Sequence, residues 1–167
     1  MKKIFVLSLI GIFLFAGLSL AQSVERIGHV DLSRAFDEYQ KTKDFDKALE
    51  KKGDVKQEQR ETLVKDIRKM RDEVELMNEN ARKKKEADIE SKIHTLQEFD
   101  QDAKAELTKE RDDMVRDILQ EMNTVIQEYG KSEGYSIILN DRVLLYGQDK
   151  MDITDEIIKL LNDSYKK

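Results

Sequence analysis

Between residues 41 and 129 the apolar side chains recur in steps of three and four and do not alternate. Leu63, Ile67, Met70, Val74, Met77 and Ala81 are spaced 4, 3, 4, 3 and 4. Arg82-Lys83-Lys84-Lys85-Glu86 then drops the apolar phase. A second series begins at Ile89, Ile93 and Leu96 and resumes at Ala103, Leu107 and Met114. It keeps its rhythm if Asp100 and Glu110 occupy two of the seam positions. Steps averaging ~3.5 describe a narrow seam suited to one neighbouring helix. A globular core would need a wider apolar stripe. After Met114 the steps change, through Ile118, Met122, Val125 and Tyr129, which marks a local phase shift.

This stretch has no Pro and one Gly, Gly53, so nothing in it forbids long helices. The pattern predicts an antiparallel helical hairpin over 41–129, with its tip near 82–88 where the apolar phase is lost. Each arm would hold about 43 residues, roughly 65 Å at ~1.5 Å per residue. One continuous helix is the alternative, but it leaves both seams uncovered. Asn78 and Asn80 are the nearest residues at ease in unusual backbone angles. Gly53 is either a hinge near the base of the first arm or a tolerated surface glycine.

The flanks have a different texture. Ile27-Gly28-His29-Val30 predicts a strand, and Asp31 or Ser33 can cap a helix after it. Gly130 can end the long helix. Gly134-Tyr135-Ser136-Ile137-Ile138-Leu139 and Val143-Leu144-Leu145-Tyr146 predict two strands, joined at Asn140-Asp141 as a β-hairpin buried on both faces. Asp152 can cap a last helix, with Asp155 in its first turn and Ile153, Ile157, Leu160 and Leu161 on its apolar side. The expected fold class is therefore α+β, mostly helical. A small β-containing body from 22–40 and 130–167 would carry the hairpin arm of 41–129. A body of about 55 residues rarely stabilises itself by more than ~3–5 kcal/mol, and its sheet edges are open. Several copies joining their sheets through Ile137, Ile138, Leu139, Val143, Leu144, Leu145, Ile157, Leu160 and Leu161 would cure both faults.

Composition narrows the chemistry. Charged residues make up 39% of the 167-residue chain, and there is no Cys. Disulfides, thiol nucleophiles and thiolate metal sites are thereby excluded. The two histidines, His29 and His94, have no partner at a suggestive spacing. No catalytic, cofactor or metal site is expected, and no Gly-rich phosphate loop is present. Lys2 and Lys3 precede an uncharged run from Ile4 to Leu20, and Ser19-Leu20-Ala21 places small residues before Gln22. That reads as a signal peptide over 1–21, cut between Ala21 and Gln22, and as export to the bacterial cell envelope. An uncut anchor is the alternative. The chain from Gln22 onward has 28 basic against 35 acidic side chains, a net of −7 that would repel nucleic acid.

The order of strand, long charged helices, strands and helix resembles the Skp/OmpH-like periplasmic chaperones. Ile27-Gly28-His29-Val30-Asp31-Leu32, Gly134 to Leu139, Val143 to Tyr146 and Asp152-Ile153-Thr154-Asp155-Glu156-Ile157 carry the likeness. The resemblance implies a homotrimer with a β-built body and three helical hairpins around a cavity. It implies that the cavity holds unfolded outer-membrane proteins in the periplasm without ATP. Members of this kind are best known as strongly basic, whereas the arms here carry 20 basic against 24 acidic residues.

Met70, Met77, Met114 and Met122 are candidate client contacts because Met adapts to irregular partners, although all four fall on the seams. Phe99 adjoins the second seam and is a candidate for an exposed contact. Arg82, Lys83, Lys84 and Lys85 form a basic cluster at the expected tip, fit for weak contact with anionic lipid or for a plain solvated turn. A coiled-coil spacer or tether in the envelope is the rival function.

Overall fold

A short extended run, β1 (Arg26–Val30), leads into α1 (Leu32–Glu38). In this computed structural model residues 25–166 are described, so the expected signal segment and its cut between Ala21 and Gln22 lie outside the described residues. Asp31 caps α1, its Oδ1 accepting from the amides of Ser33 and Arg34 at 2.9 Å each. The chain then breaks at Tyr39, with ψ of 126°, and restarts as α2 (Gln40–Val74). Tyr39 offers the new helix no side-chain cap. Asn162, from the far end of the chain, supplies one, its Oδ1 accepting from the Gln40 amide at 2.7 Å.

The helices α2 and α3 (Glu79–Ser132) form an antiparallel hairpin. The turn falls at 75–78, earlier than the 82–88 expected from the sequence. Asn78 stops the chain and caps α3, accepting from the Ala81 amide at 3.1 Å. The basic run Arg82–Lys85 is thus the opening of a helix and not a loop. The reason is that the whole of 41–129 is not arm. At 54 residues α3 outlasts the 35-residue α2, and its last turns run past the start of α2 into the body. That moves the fold-back toward the N-terminus.

Glycine ends α3 as well, but it is Gly134, at φ +72°, and not Gly130. Gly130 lies inside the helix where β2 (Tyr135–Asn140) passes close by. A Cβ there would stand 3.0 Å from Ile138 Cδ1.

The sheet differs from the expected β-hairpin. β1 and β2 pair in parallel, with Ile27 beside Ile137 and Val30 beside Asn140. Parallel neighbours need a long crossover, and the entire helical hairpin is that crossover. Val143–Tyr146 forms no strand. A single 3-10 turn, Asp141–Val143, runs into an irregular stretch, followed by a second 3-10 turn at Asp149–Met151. With no third strand beside it, β2 is not buried on both faces, and Ile137 is exposed.

The last helix, α4 (Thr154–Tyr165), begins one residue later than a cap at Asp152 implies. Asp152 still takes the Thr154 amide, at 2.8 Å, by reaching over Ile153. Thr154 is buried, and its hydroxyl donates to Asp152 while accepting from the Asp31 amide at 2.9 Å. One threonine thus ties the starts of α1 and α4 together.

The core gathers Val30, Ala35, Tyr39, Ile118, Met122, Ile153, Ile157, Ile158 and Leu161, with Phe36, Met114, Val125, Ile126 and Tyr129 packed around it. Ile158 takes the core place expected of Leu160, which is exposed. Residues 114–129 of α3 therefore belong to the body. Their phase shift is the signature of a helix with neighbours on more than one side, since α3 here touches α1, α4 and β2 as well as α2.

Candidate functional site

The free length of the hairpin is a seam two helices wide. Among the described residues of its outer part, Ile67 at 6% and Ile89 at 8% exposure are the buried apolar side chains. Leu63, Met70 and Val74 on α2, Met77 in the turn, and Ile93, Leu96, Ala103 and Leu107 on α3, are half-buried. Among the described residues, nothing outside the helix pair covers them further.

Along its middle the seam changes character. Lys52 Nζ lies 2.8 Å from Glu106 and 2.5 Å from Glu110, and Lys56 Nζ lies 2.7 Å from Glu106. Arg60 Nε donates to Asp100 at 3.0 Å. Asp100 and Glu110 do occupy seam positions, as the rhythm requires, and they are answered there by cations. The hydrogen bonds from Lys52 and Lys56 hold the Glu106 carboxyl down at about 2. Hydrogen bonds to Glu106 and then Glu110 hold the Lys52 ammonium above its ordinary value.

At the base, Tyr39 donates its O–H to Glu121 at 2.8 Å, and Lys41 reaches the same carboxylate at 2.6 Å. Burial, then the Glu121 carboxylate, pushes the Tyr39 phenol well above its usual range. Burial alone would raise Glu121, but the hydrogen bonds from Lys41 and Tyr39 outweigh it and leave the carboxyl below its usual value.

The sequence-predicted contact residues are not brought together. Met122 is 1% exposed and sits in the body core, so it offers no surface to a partner. Met114 packs against that core, while Met70 and Met77 lie half-buried near the tip. Phe99 is half-buried, with the Lys56 ammonium 5.9 Å above its ring.

The basic cluster is partly neutralised. Lys85 pairs with Glu73 at 2.8 Å and Lys83 with Glu79 at 3.6 Å, leaving Arg82 and Lys84 without an ion pair among the described residues. Leu76, 91% exposed at the turn, stands beside this cluster.

At the body, Ile27, Ile137, Val143, Leu145 and Tyr146 are exposed. Ile138 packs against the core, and Leu139 and Leu144 are half-buried. Ile157 and Leu161, expected to help join copies, are fully buried within the single chain and belong to its own core. His29 is packed in the body, its ring nitrogens buried without a hydrogen-bond partner. His94 pairs on the surface with Glu98 at 3.3 Å.

Sequence reasoning missed a groove of about 300 Å³ between the helices, lined by Val64, Ile67, Arg68, Arg71, Ile93 and Leu96. The signal was Val64, an apolar residue beside Leu63 that the seam rhythm does not use. It also missed Leu76, which no seam position claims.

A crystal structure of a protein from Caulobacter crescentus CB15, named as an OmpH-like outer membrane chaperone, aligns with a TM-score of 0.73. The alignment covers 84% of this chain and 86% of that one at 17% identity, a likeness of fold alone. No curated protein matches the chain. The profile of the family described as "Outer membrane protein (OmpH-like)" matches residues 26–161, from the first residue of β1 into the last turns of α4, and the chain belongs to that family.

Proposed function

We propose that the chain is an ATP-independent holdase chaperone of the periplasm that keeps unfolded outer-membrane proteins from aggregating. In this reading it is exported, loses residues 1–21 and catalyses no reaction. Copies join as a homotrimer through the apolar edge of the body, and the hairpins stand around a cavity that receives the client.

The observation that carries the reading is the arm. A long hairpin whose apolar residues are mostly half-buried presents many weak, adaptable contacts and no single precise site. Such a surface suits a partner recognised for being unfolded and not for its sequence. Family membership supports the chaperone class. The exposed Ile137, Val143, Leu145 and Tyr146, beside a two-stranded sheet whose β2 edge is open, support the joining of copies. Two strands alone are marginal in water, and unpaired edges invite further strands.

The test is dilution of a urea-unfolded β-barrel protein into buffer with and without the purified chain beginning at Gln22, followed by light scattering. Suppression of scattering at near-stoichiometric chaperone is expected. Undiminished scattering at large excess, with helicity intact, overturns the reading. A chain that fractionates with membranes and suppresses nothing would be a tether.

A further inference from the structure

The groove lined by Val64, Ile67, Arg68, Arg71, Ile93 and Leu96 carries two cations and no carboxylate. Lys52, Lys56, Arg60 and Lys85 each meet a carboxylate of the opposite helix. Arg68 and Arg71 meet none among the described residues. They stand at i and i+3 on one helix, where side chains are neighbours. Inter-helix ion pairs stand farther along the arm on either side, Arg60 with Asp100 toward the body and Lys85 with Glu73 toward the tip. Its floor is apolar, formed by Ile67 with half-buried Val64, Ile93 and Leu96. Its volume is at the lower limit of clefts that bind ligands, ~300–1,000 Å³.

Ile67 stands some 40 Å along α2 from Gln40 at ~1.5 Å per residue. Among the described residues, the body core is built around the base of the hairpin and does not include this stretch. An apolar cleft rimmed by two guanidiniums, in a chain of net charge −5, is complementary to something apolar that carries carboxylates. Guanidinium is also the cation least costly to bring against apolar surface and the one that grips a carboxylate through two parallel bonds.

We infer that this groove is a docking site for short apolar segments of unfolded polypeptide flanked by Asp or Glu. The inference deepens the holdase reading and rests on it. It makes the arm mildly selective: among equally apolar stretches, those bordered by acidic residues are held and those bordered by basic residues are not. The rest of the half-exposed seam keeps its indifference to sequence.

The test uses the full chain from Gln22 and three labelled peptides with one apolar centre, flanked by Glu, by Gln or by Lys, read by fluorescence anisotropy. The Glu peptide binds tightest. The double variant Arg68→Glu/Arg71→Glu weakens it roughly tenfold, the size expected for two exposed ion pairs turned to repulsions, and improves the Lys peptide. Because both arginines are exposed, the variant keeps its fold, which circular dichroism checks. A photoreactive residue at the peptide centre should crosslink to 64–71 and 93–96.

Equal binding of the three peptides, or an unchanged order in the double variant, overturns the groove while leaving aggregation suppression by the wild type to speak for the holdase. Suppression that fails while the Glu peptide still docks has the opposite meaning. A change in sedimenting mass on Arg68→Glu/Arg71→Glu would assign the groove to a second copy. Displacement of the Glu peptide by phosphatidylglycerol vesicles, but not by neutral ones, would assign it to a membrane. Either result overturns the inference.

Discussion

The same two helices meet twice in different ways. At the base, Ile118 and Met122 of α3 are fully buried against Tyr39, Ile157 and Leu161. Farther out, Lys52, Lys56 and Arg60 face Asp100, Glu106 and Glu110, and these side chains stay 25–45% exposed. The difference is the number of neighbours. At the base α1, α4 and the sheet close over the seam, so a charge there would lose its water and must be replaced by an apolar side chain or, like Glu121, be given two donors. In the middle only two helices meet, water remains at hand, and an ion pair costs little. Burial, more than helix pairing, decides which residues a seam tolerates.

The comparison breaks first at the base. Ile118→Ala removes a fully buried side chain of the body core, and a loss of about 2–5 kcal/mol is expected in urea unfolding. A loss below ~1 kcal/mol would mean that the base is as loosely packed as the arm. Asn162→Ala, which uncaps α2 from across the body, should cost about 1 kcal/mol by the same measurement. In the middle, the sign reverses. Arg60→Leu/Asp100→Leu should stabilise the arm by about 1 kcal/mol, because an exposed ion pair is exchanged for apolar contact. Gly53→Ala should add up to ~1 kcal/mol, since a Cβ there meets nothing within 4 Å.

The smallest effect is acid loosening of the middle of the arm. The Glu106 carboxyl lies at about 2 in the folded arm against 4.5 for a free glutamate. A depressed folded value stabilises fully above the free value, and that contribution is lost as pH falls from about 4.5 toward 2. Amide exchange should therefore quicken over 52–60 and 100–110 in that window. Glu106→Gln should remove the pH dependence.

Much of the arm was legible because its seam repeats. Periodicity placed the hairpin and even the two acidic seam residues, Asp100 and Glu110, because a helix pair with no third neighbour follows a local rule. The tip was misplaced because the rule has no term for where α3 leaves the arm. Its last turns join the body, and only the phase shift after Met114 hinted at that. The second strand failed for a different reason. Val143–Tyr146 has strand composition, but pairing depends on what lies beside it, and in the single chain β2 is paired with β1 on one edge alone. The groove was hidden because Arg68 and Arg71 look like any other charges of the arm until their neighbours are known not to answer them.

Native mass spectrometry of the chain beginning at Gln22, alone and after mixing with a urea-unfolded β-barrel protein, tests most directly whether bodies unite to hold the arms around a client. Three copies alone, and three copies plus one client chain after mixing, are expected. A single folded copy at micromolar concentration, unchanged by the client, would contradict the account.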